Sequence, residues 1–184
     1  MKILRFASLI ETPWKNGGGT TTEIAVHPAG ATLETFDWRL SIARVGGDGP
    51  FSLFEGIDRT LTLIEGVGMR LDIDGAPSQV LTTRSAPLAF PGDVPVTARL
   101  IDGPIRDLNV MTRRGRWRHG VARANGGAPL PAGPLVLVFC LATVVVSAGD
   151  IRAELGFGDI ARLERGGGEV MHGEALIVTL QPQD

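Results

Sequence analysis

The chain has 184 residues, with 18 Lys plus Arg against 20 Asp plus Glu and a formal net charge of −2. That balance excludes a chain-wide basic field of the kind that draws proteins to nucleic acid or anionic membranes. Hydrophobic residues make up 43% of the chain, enough to bury a core in one large domain or two small fused ones, and the single cysteine excludes an internal disulfide framework.

The N-terminal stretch MKILRFASLIETPWKNGGG is a poor secretory leader. Arg5 interrupts its apolar run and no small-residue cleavage site follows, so a cytoplasmic protein is expected. The run PWKNGGGTTTEI, Pro13 to Ile24, comes next. A phosphate loop needs its lysine after the glycines and a helix behind it. Here Lys15 precedes them, and the β-branched Thr20, Thr21 and Thr22 lead toward Ile24 and Val26. That continuation is a strand, with no helix N-terminus to hold an anion. Two readings stay open. The glycines supply positive φ and close backbone approach in a turn. Alternatively the loop stands at a barrel mouth and aims Lys15, Asn16 and Glu23 at a small ligand, a set that suits a carboxylate.

FDWRLSIARV alternates as a strand should, with Phe36, Trp38, Leu40 and Ile42 on one face and Asp37, Arg39, Ser41 and Ala43 on the other. If the apolar face packs between sheets, Arg39 and Ser41 meet solvent. If the strand lines a barrel, they point inward, and a buried arginine needs an anionic partner. In GPFSLFEGIDRTLTLIEG, Phe51, Leu53 and Phe54 read as core or rim, and Arg59 opens a strand, either as a solvated charge or as a second guanidinium at a site. GMRLDIDG follows, its Asp74-Gly75 favouring a hairpin. FPGD, PVTARLIDG and IRDLNVMTRRG come after; in the last, Asp107, Asn109 and Met111 share a face, the pattern of a polar barrel lining or of a half-exposed strand.

TRRGRWRHG gathers Arg113, Arg114, Arg116 and Arg118 around a tryptophan. It is too short for a nucleic-acid surface and reads as a solvated connection. The Gly/Pro/Ala-rich stretch from Asn125 to Pro134 reads as the crossing between two halves. LVLVFCLATVVVSA has 14 uncharged residues, short of the ~20 of a membrane helix, and is rich in valine. It is expected to be one or two buried strands, with Cys140 as a small buried hydrophobe. Short strands recur to the end, so the fold class is all-β with little helix. A weak internal repeat pairs Gly92-Asp93 with Gly158-Asp159, as duplicated small barrels would. His27, His119 and His172 stand far apart and form no HxH or HxxxH pair, so no metal and no cofactor is expected.

Taken in order, PWKNGGGTTTEI, FDWRLSIARVGGDGPFSLFEGIDRTLTLIEG, FPGD and GPIRDLNVMTRRG resemble the HutD/Ves family over the first two-thirds of the chain. The resemblance implies a bicupin: two fused cupin-like β-barrels (double-stranded β-helices), often as a homodimer. Residues 1–122 would form the N-terminal barrel with the ligand pocket and 123–184 a smaller second barrel, with strand exchange between them left open. The family is associated with histidine utilisation, as a modulator sensing N-formylglutamate or urocanate. Metal-binding cupins carry an HxH where this chain has Arg39-Leu40-Ser41. The expected ligand site for a small carboxylate is Lys15, Asn16, Glu23, Arg39, Ser41, Arg59 and Asn109. The alternative is a metal-independent lyase, isomerase or hydrolase with Glu23 as general base. A third reading is an interaction protein with filled barrels and no polar pocket.

Overall fold

The computed structural model describes residues 1–183. The chain divides into two compact units, Ile10–Arg116, and Met1–Leu9 together with the chain from Trp117 onward. Among the described residues the elements are β-strands, joined by turns and a single 3-10 turn at Phe6–Ser8. None of their helical segments is long and apolar enough to cross a membrane.

The first strand, β1 (Lys2–Leu4), belongs to the C-terminal unit. The N-terminal unit holds β2 (Glu11–Pro13), β3 (Gly19–His27), β4 (Trp38–Val45), β5 (Gly49–Pro50), β6 (Ile57–Glu65), β7 (Met69–Ile73), β8 (Gln79–Leu81), β9 (Leu88–Pro91), β10 (Val96–Leu100) and β11 (Ile105–Arg113). They form a six-stranded sheet, β2-β3-β4-β11-β6-β9, and a four-stranded sheet, β5-β10-β7-β8. The apolar core lies between them: Val45, Leu61, Leu63 and Ile105 from the larger sheet meet Met69, Leu71, Leu81, Val96 and Ala98 from the smaller. Period-two alternation builds this arrangement, because every second side chain of a strand faces the same way. On β4 and β11 the opposite face, with Trp38, Leu40, Ile42, Leu108 and Val110, is buried too. Both faces of these strands therefore leave water, and their polar residues must find partners inside.

The C-terminal unit contains β12 (Trp117–Asn125), β13 (Ala128–Leu130), β14 (Leu135–Cys140), β15 (Val144–Ala148), β16 (Ile151–Leu155), β17 (Ile160–Glu164), β18 (Gly168–His172) and β19 (Glu174–Pro182). Its sheets run β1-β17-β14-β19-β12 and β13-β18-β15-β16. The valine-rich run is two strands, β14, buried throughout, and β15, buried at Val144 and Val146 and half-buried elsewhere.

Three sequence expectations change. The division falls after Arg116, not after residue 122, and the first nine residues pack with the second unit, where Lys2 pairs with Arg162. The stretch from Asn125 to Pro134 is not the crossing: Ala128–Leu130 is a strand paired with β18. The passage between units is the basic cluster itself, and its arginines are held rather than loose. Arg113 donates to the carbonyls of Phe36 at 3.0 Å and Glu34 at 2.8 Å. Arg114 bridges Asp58 and Asp93 at 3.0 Å each, and Arg116 meets Asp37 at 2.7 Å. The repeat is real at the level of topology, but the two Gly-Asp turns are not equivalent. Gly92-Asp93 leaves β9, whereas Gly158-Asp159 enters β17, the strand that takes β9's place in the second unit.

Candidate functional site

The glycine run is the tip of the β2–β3 hairpin. Gly17 adopts φ +71, and Gly18 N–H donates to Asn16 Oδ1 at 3.1 Å, closing an Asx turn. Gly19 has no room for a side chain: a Cβ there would lie 2.2 Å from the Arg44 carbonyl and 2.9 Å from the Trp14 ring. Trp14 is thereby laid along the strand, and its indole N–H donates to Thr21 Oγ1 at 2.7 Å. Trp14, Lys15, Asn16 and Gly18 form one rim of a cavity of about 590 Å³ inside the N-terminal unit.

The cavity floor comes from three adjacent strands. Their register sets Ala43, Asp107 and Leu63 in one cross-strand row, Ser41, Asn109 and Leu61 in the next, and Arg39, Met111 and Arg59 in a third. The polar face of β4 therefore looks inward, which settles the two readings of that strand in favour of a lining. Phe51, Phe54, Leu33 and Pro50 supply apolar wall.

Arg59 is only 8% exposed. Its guanidinium lies 4.7 Å from the Phe51 ring centroid and 5.5 Å from that of Phe90, a cation–π box that fixes its plane. Nε donates to Asn109 Oδ1 at 2.8 Å. The two terminal nitrogens make no hydrogen bond to any described residue. Burial is the main cause that brings the Arg59 pKa down to about 10; Asp107 works the other way and Arg39 adds to the lowering. The group stays charged at neutral pH, and a buried charge with unpaired donors calls for an anion.

Asp107 is completely buried. Its Oδ1 accepts from Asn109 Nδ2 at 2.5 Å, while Oδ2 is buried without a partner. Burial pushes its pKa up to about 6, against the pull of Arg59 and of the Asn109 hydrogen bond. Asn109 thus stands between acid and base, its amide oriented at both ends. Arg39 donates from Nε to Glu23 Oε2 at 2.8 Å and from a terminal nitrogen to Ser41 Oγ at 3.0 Å.

Of the residues expected at a site, Lys15, Asn16, Arg39, Ser41, Arg59 and Asn109 line this cavity. Lys15 and Asn16 are exposed at the rim; the other four form the floor. Glu23 is not among the lining residues. It is half-exposed and holds Arg39 from outside, as an ion pair orienting a cation. Asp107, Phe51, Trp14 and Met111 were missed as site residues. For Asp107 a signal existed, since it shares the alternation of Asn109. Trp14 gave none beyond its place beside the glycines.

The donor set does not fit a metal. No histidine or cysteine lines the cavity, and its two guanidinium groups and lysine would repel a cation. His27 is instead stacked on Trp38, with ring centroids 5.6 Å apart. The arrangement is suited to recognising an anion with an apolar or planar body.

Comparison with known proteins gives this architecture its relatives. An uncharacterized 21.2 kDa protein in the hutC 3' region of Pseudomonas putida is 40% identical over 167 residues, covering 89% of this chain and 87% of that protein. Protein Ves of Citrobacter koseri is 44% identical over 113 residues, 61% of this chain and 58% of its own length. HutD from Pseudomonas fluorescens SBW25, solved in a formate condition, superposes with a TM-score of 0.88 at 36% identity, covering 100% of this chain and 99% of that one. The oxalate decarboxylase of Bacillus subtilis, at 10% identity and a TM-score of 0.62, shares the fold alone and makes it a cupin fold. The HutD family profile matches residues 7–178, and the chain belongs to the HutD family.

Proposed function

We propose that the protein is a carboxylate-binding sensor or modulator of histidine utilisation, with the cavity of its N-terminal unit as the ligand site. The observation that carries this reading is Arg59, a buried guanidinium that lines the cavity and whose terminal nitrogens make no hydrogen bond to any described residue. Arg39 and Lys15 add positive charge to the same cavity, and Ser41 and Asn109 add hydrogen-bonding groups. N-formylglutamate and urocanate are the candidate ligands, since both present carboxylate on a short body. Membership of the HutD family and the place of the Pseudomonas putida relative beside hutC support the link to that pathway.

Titration calorimetry with each acid tests the reading. A bidentate guanidinium–carboxylate contact in a partly dry site contributes ~1.5–3 kcal/mol, so Arg59→Met should weaken binding by roughly ten- to hundredfold. Arg39→Ala, at a less buried position, provides a second arm and should weaken it less. Wild-type affinity in both variants, or no heat from either acid with the wild type, would overturn the assignment.

A further inference from the structure

We propose that a carboxylate bound at Arg59 enters together with one proton, which comes from bulk solvent and settles on Asp107 Oδ2. The inference rests on the carboxylate reading of the cavity and specifies how that site meets the charge it takes in.

Asp107 and Arg59 are opposite charges buried in one floor, yet they share no direct hydrogen bond, because Asn109 lies between them. Arg59 is therefore the cation that keeps Asp107 ionised, and it is also the group with unused donors. A ligand carboxylate on those donors offsets the positive charge that Asp107 depends on. Two anions would then face the Arg59 guanidinium in a buried floor, an arrangement that raises the pKa of the acid able to accept a proton. Asp107 has a place for it. Oδ1 is occupied as an acceptor by Asn109 in either protonation state, and Oδ2 is buried and unpartnered. Protonation at Oδ2 leaves the bonds from Asn109 to Asp107 and from Arg59 to Asn109 intact, so the ligand donors keep their orientation.

The other charged groups around the cavity do not take this role. From β4, Arg39 is held by Glu23 of β3. From the β2–β3 hairpin, Lys15 is exposed at the rim. From the loop before β5, Asp48 accepts from the Leu100 N–H at 2.7 Å. On β4, the neighbour of Asp107 in register is the apolar Ala43. Burial already holds Asp107 at about 6 before the ligand arrives, and the ligand moves it higher. The sign follows from linkage: affinity is weakest above the bound-state pKa, tightens as pH falls, and levels off below the free-state value.

The experiment is calorimetry of the full chain with N-formylglutamate from pH 5.5 to 8.5, in paired buffers of different ionisation enthalpy. Its carboxylates stay ionised over this range, as urocanate's imidazole would not stay in one state. Binding should be roughly fiftyfold tighter at the acid end, the effect of about two pKa units over this range, with proton uptake peaking near pH 7 at roughly 0.8 per ligand. Asp107→Asn should flatten the pH profile and abolish the uptake. Wild-type binding without proton uptake, or uptake retained in Asp107→Asn, overturns the coupling and leaves the carboxylate site standing. No binding by the wild type at any pH overturns both. The wild-type proton count is decisive even where the variant does not fold.

Discussion

In the N-terminal unit the larger sheet contains the run β4-β11-β6-β9; in the C-terminal unit β12-β19-β14-β17 occupy the same places, and β5-β10-β7-β8 is matched by β13-β18-β15-β16. The inward faces differ. Val136, Val138, Cys140, Ala161, Ala175 and Ile177 fill the second unit with apolar side chains. Burial, with Asp159 adding to it, pushes the Cys140 thiol up to about 12, the condition of an inert packing residue. The first unit sets the apolar Leu61, Leu63 and Ile105 beside Arg39, Ser41, Arg59, Asp107 and Asn109. One topology thus supports a closed core and a charged cavity. The chemistry lies in which inward positions are polar and whether those groups satisfy one another.

The harshest test of that contrast is to put a charge where the second unit has none. Val138 is fully buried on β14 between β17 and β19. Val138→Asp has no cation, amide or cavity to receive it, and should cost about 4 kcal/mol or more. Chemical denaturation, or failure to recover soluble protein, reads this out. Normal stability would mean that the second unit also tolerates charge and that the contrast between the linings is false.

A smaller effect is expected from the charge that the first unit does tolerate. The folded pKa of Asp107, about 6, lies above the ordinary aspartate value of 3.8. Below the unfolded value both states hold the proton and burial costs nothing. As pH rises toward 6 the unfolded chain releases its proton first, so stability falls, and above 6 the full penalty is present. Two pKa units correspond to roughly 3 kcal/mol between about pH 4 and pH 7. Other carboxylates titrate over the same range, so the informative quantity is the wild-type curve minus that of Asp107→Asn. A difference curve that is flat, or that rises with pH, would show that Asp107 does not carry the burdened charge.

Much of this organisation is legible in the sequence, for identifiable reasons. Strands announce themselves through alternation, as in Trp38-Arg39-Leu40-Ser41, and the turns through glycine. The direction of a polar face is not announced. Both faces of β4 and β11 are buried, so alternation alone could not say whether Arg39 and Ser41 met solvent or a cavity. Lining by Arg39, Ser41, Arg59 and Asn109 depends on a register set by three strands distant in sequence. The boundary was obscured for a related reason. Asn125 to Pro134 has the composition of a linker, yet Ala128–Leu130 finds a partner in β18. The true passage is a cluster of arginines whose partners, Asp37, Asp58 and Asp93, lie far upstream. No local signal pairs β1 with β17.

Each unit contains a run of three glycines, and the two runs give the finest version of the comparison. Gly19 and Gly168 both press on a backbone carbonyl: an added Cβ would meet Arg44 O at 2.2 Å and Ser147 O at 2.3 Å respectively. Gly168 also has φ +140, so its alanine is strained twice. Gly18 lies near only the flexible Asn16 side chain, at 3.5 Å, and its φ is ordinary. The expected order of destabilisation is Gly168→Ala, then Gly19→Ala at ~1–3 kcal/mol, with Gly18→Ala close to zero. The order of effects on ligand affinity should be different. Gly19→Ala displaces Trp14, a wall of the cavity, and so should weaken carboxylate binding several-fold in protein that is still folded. Gly168→Ala acts on a unit whose core presents no charged lining and should leave the affinity of the folded fraction unchanged. Equal losses of affinity from the two alanines would mean that the glycine hairpin only turns a corner, and that its closeness to the cavity has no part in binding.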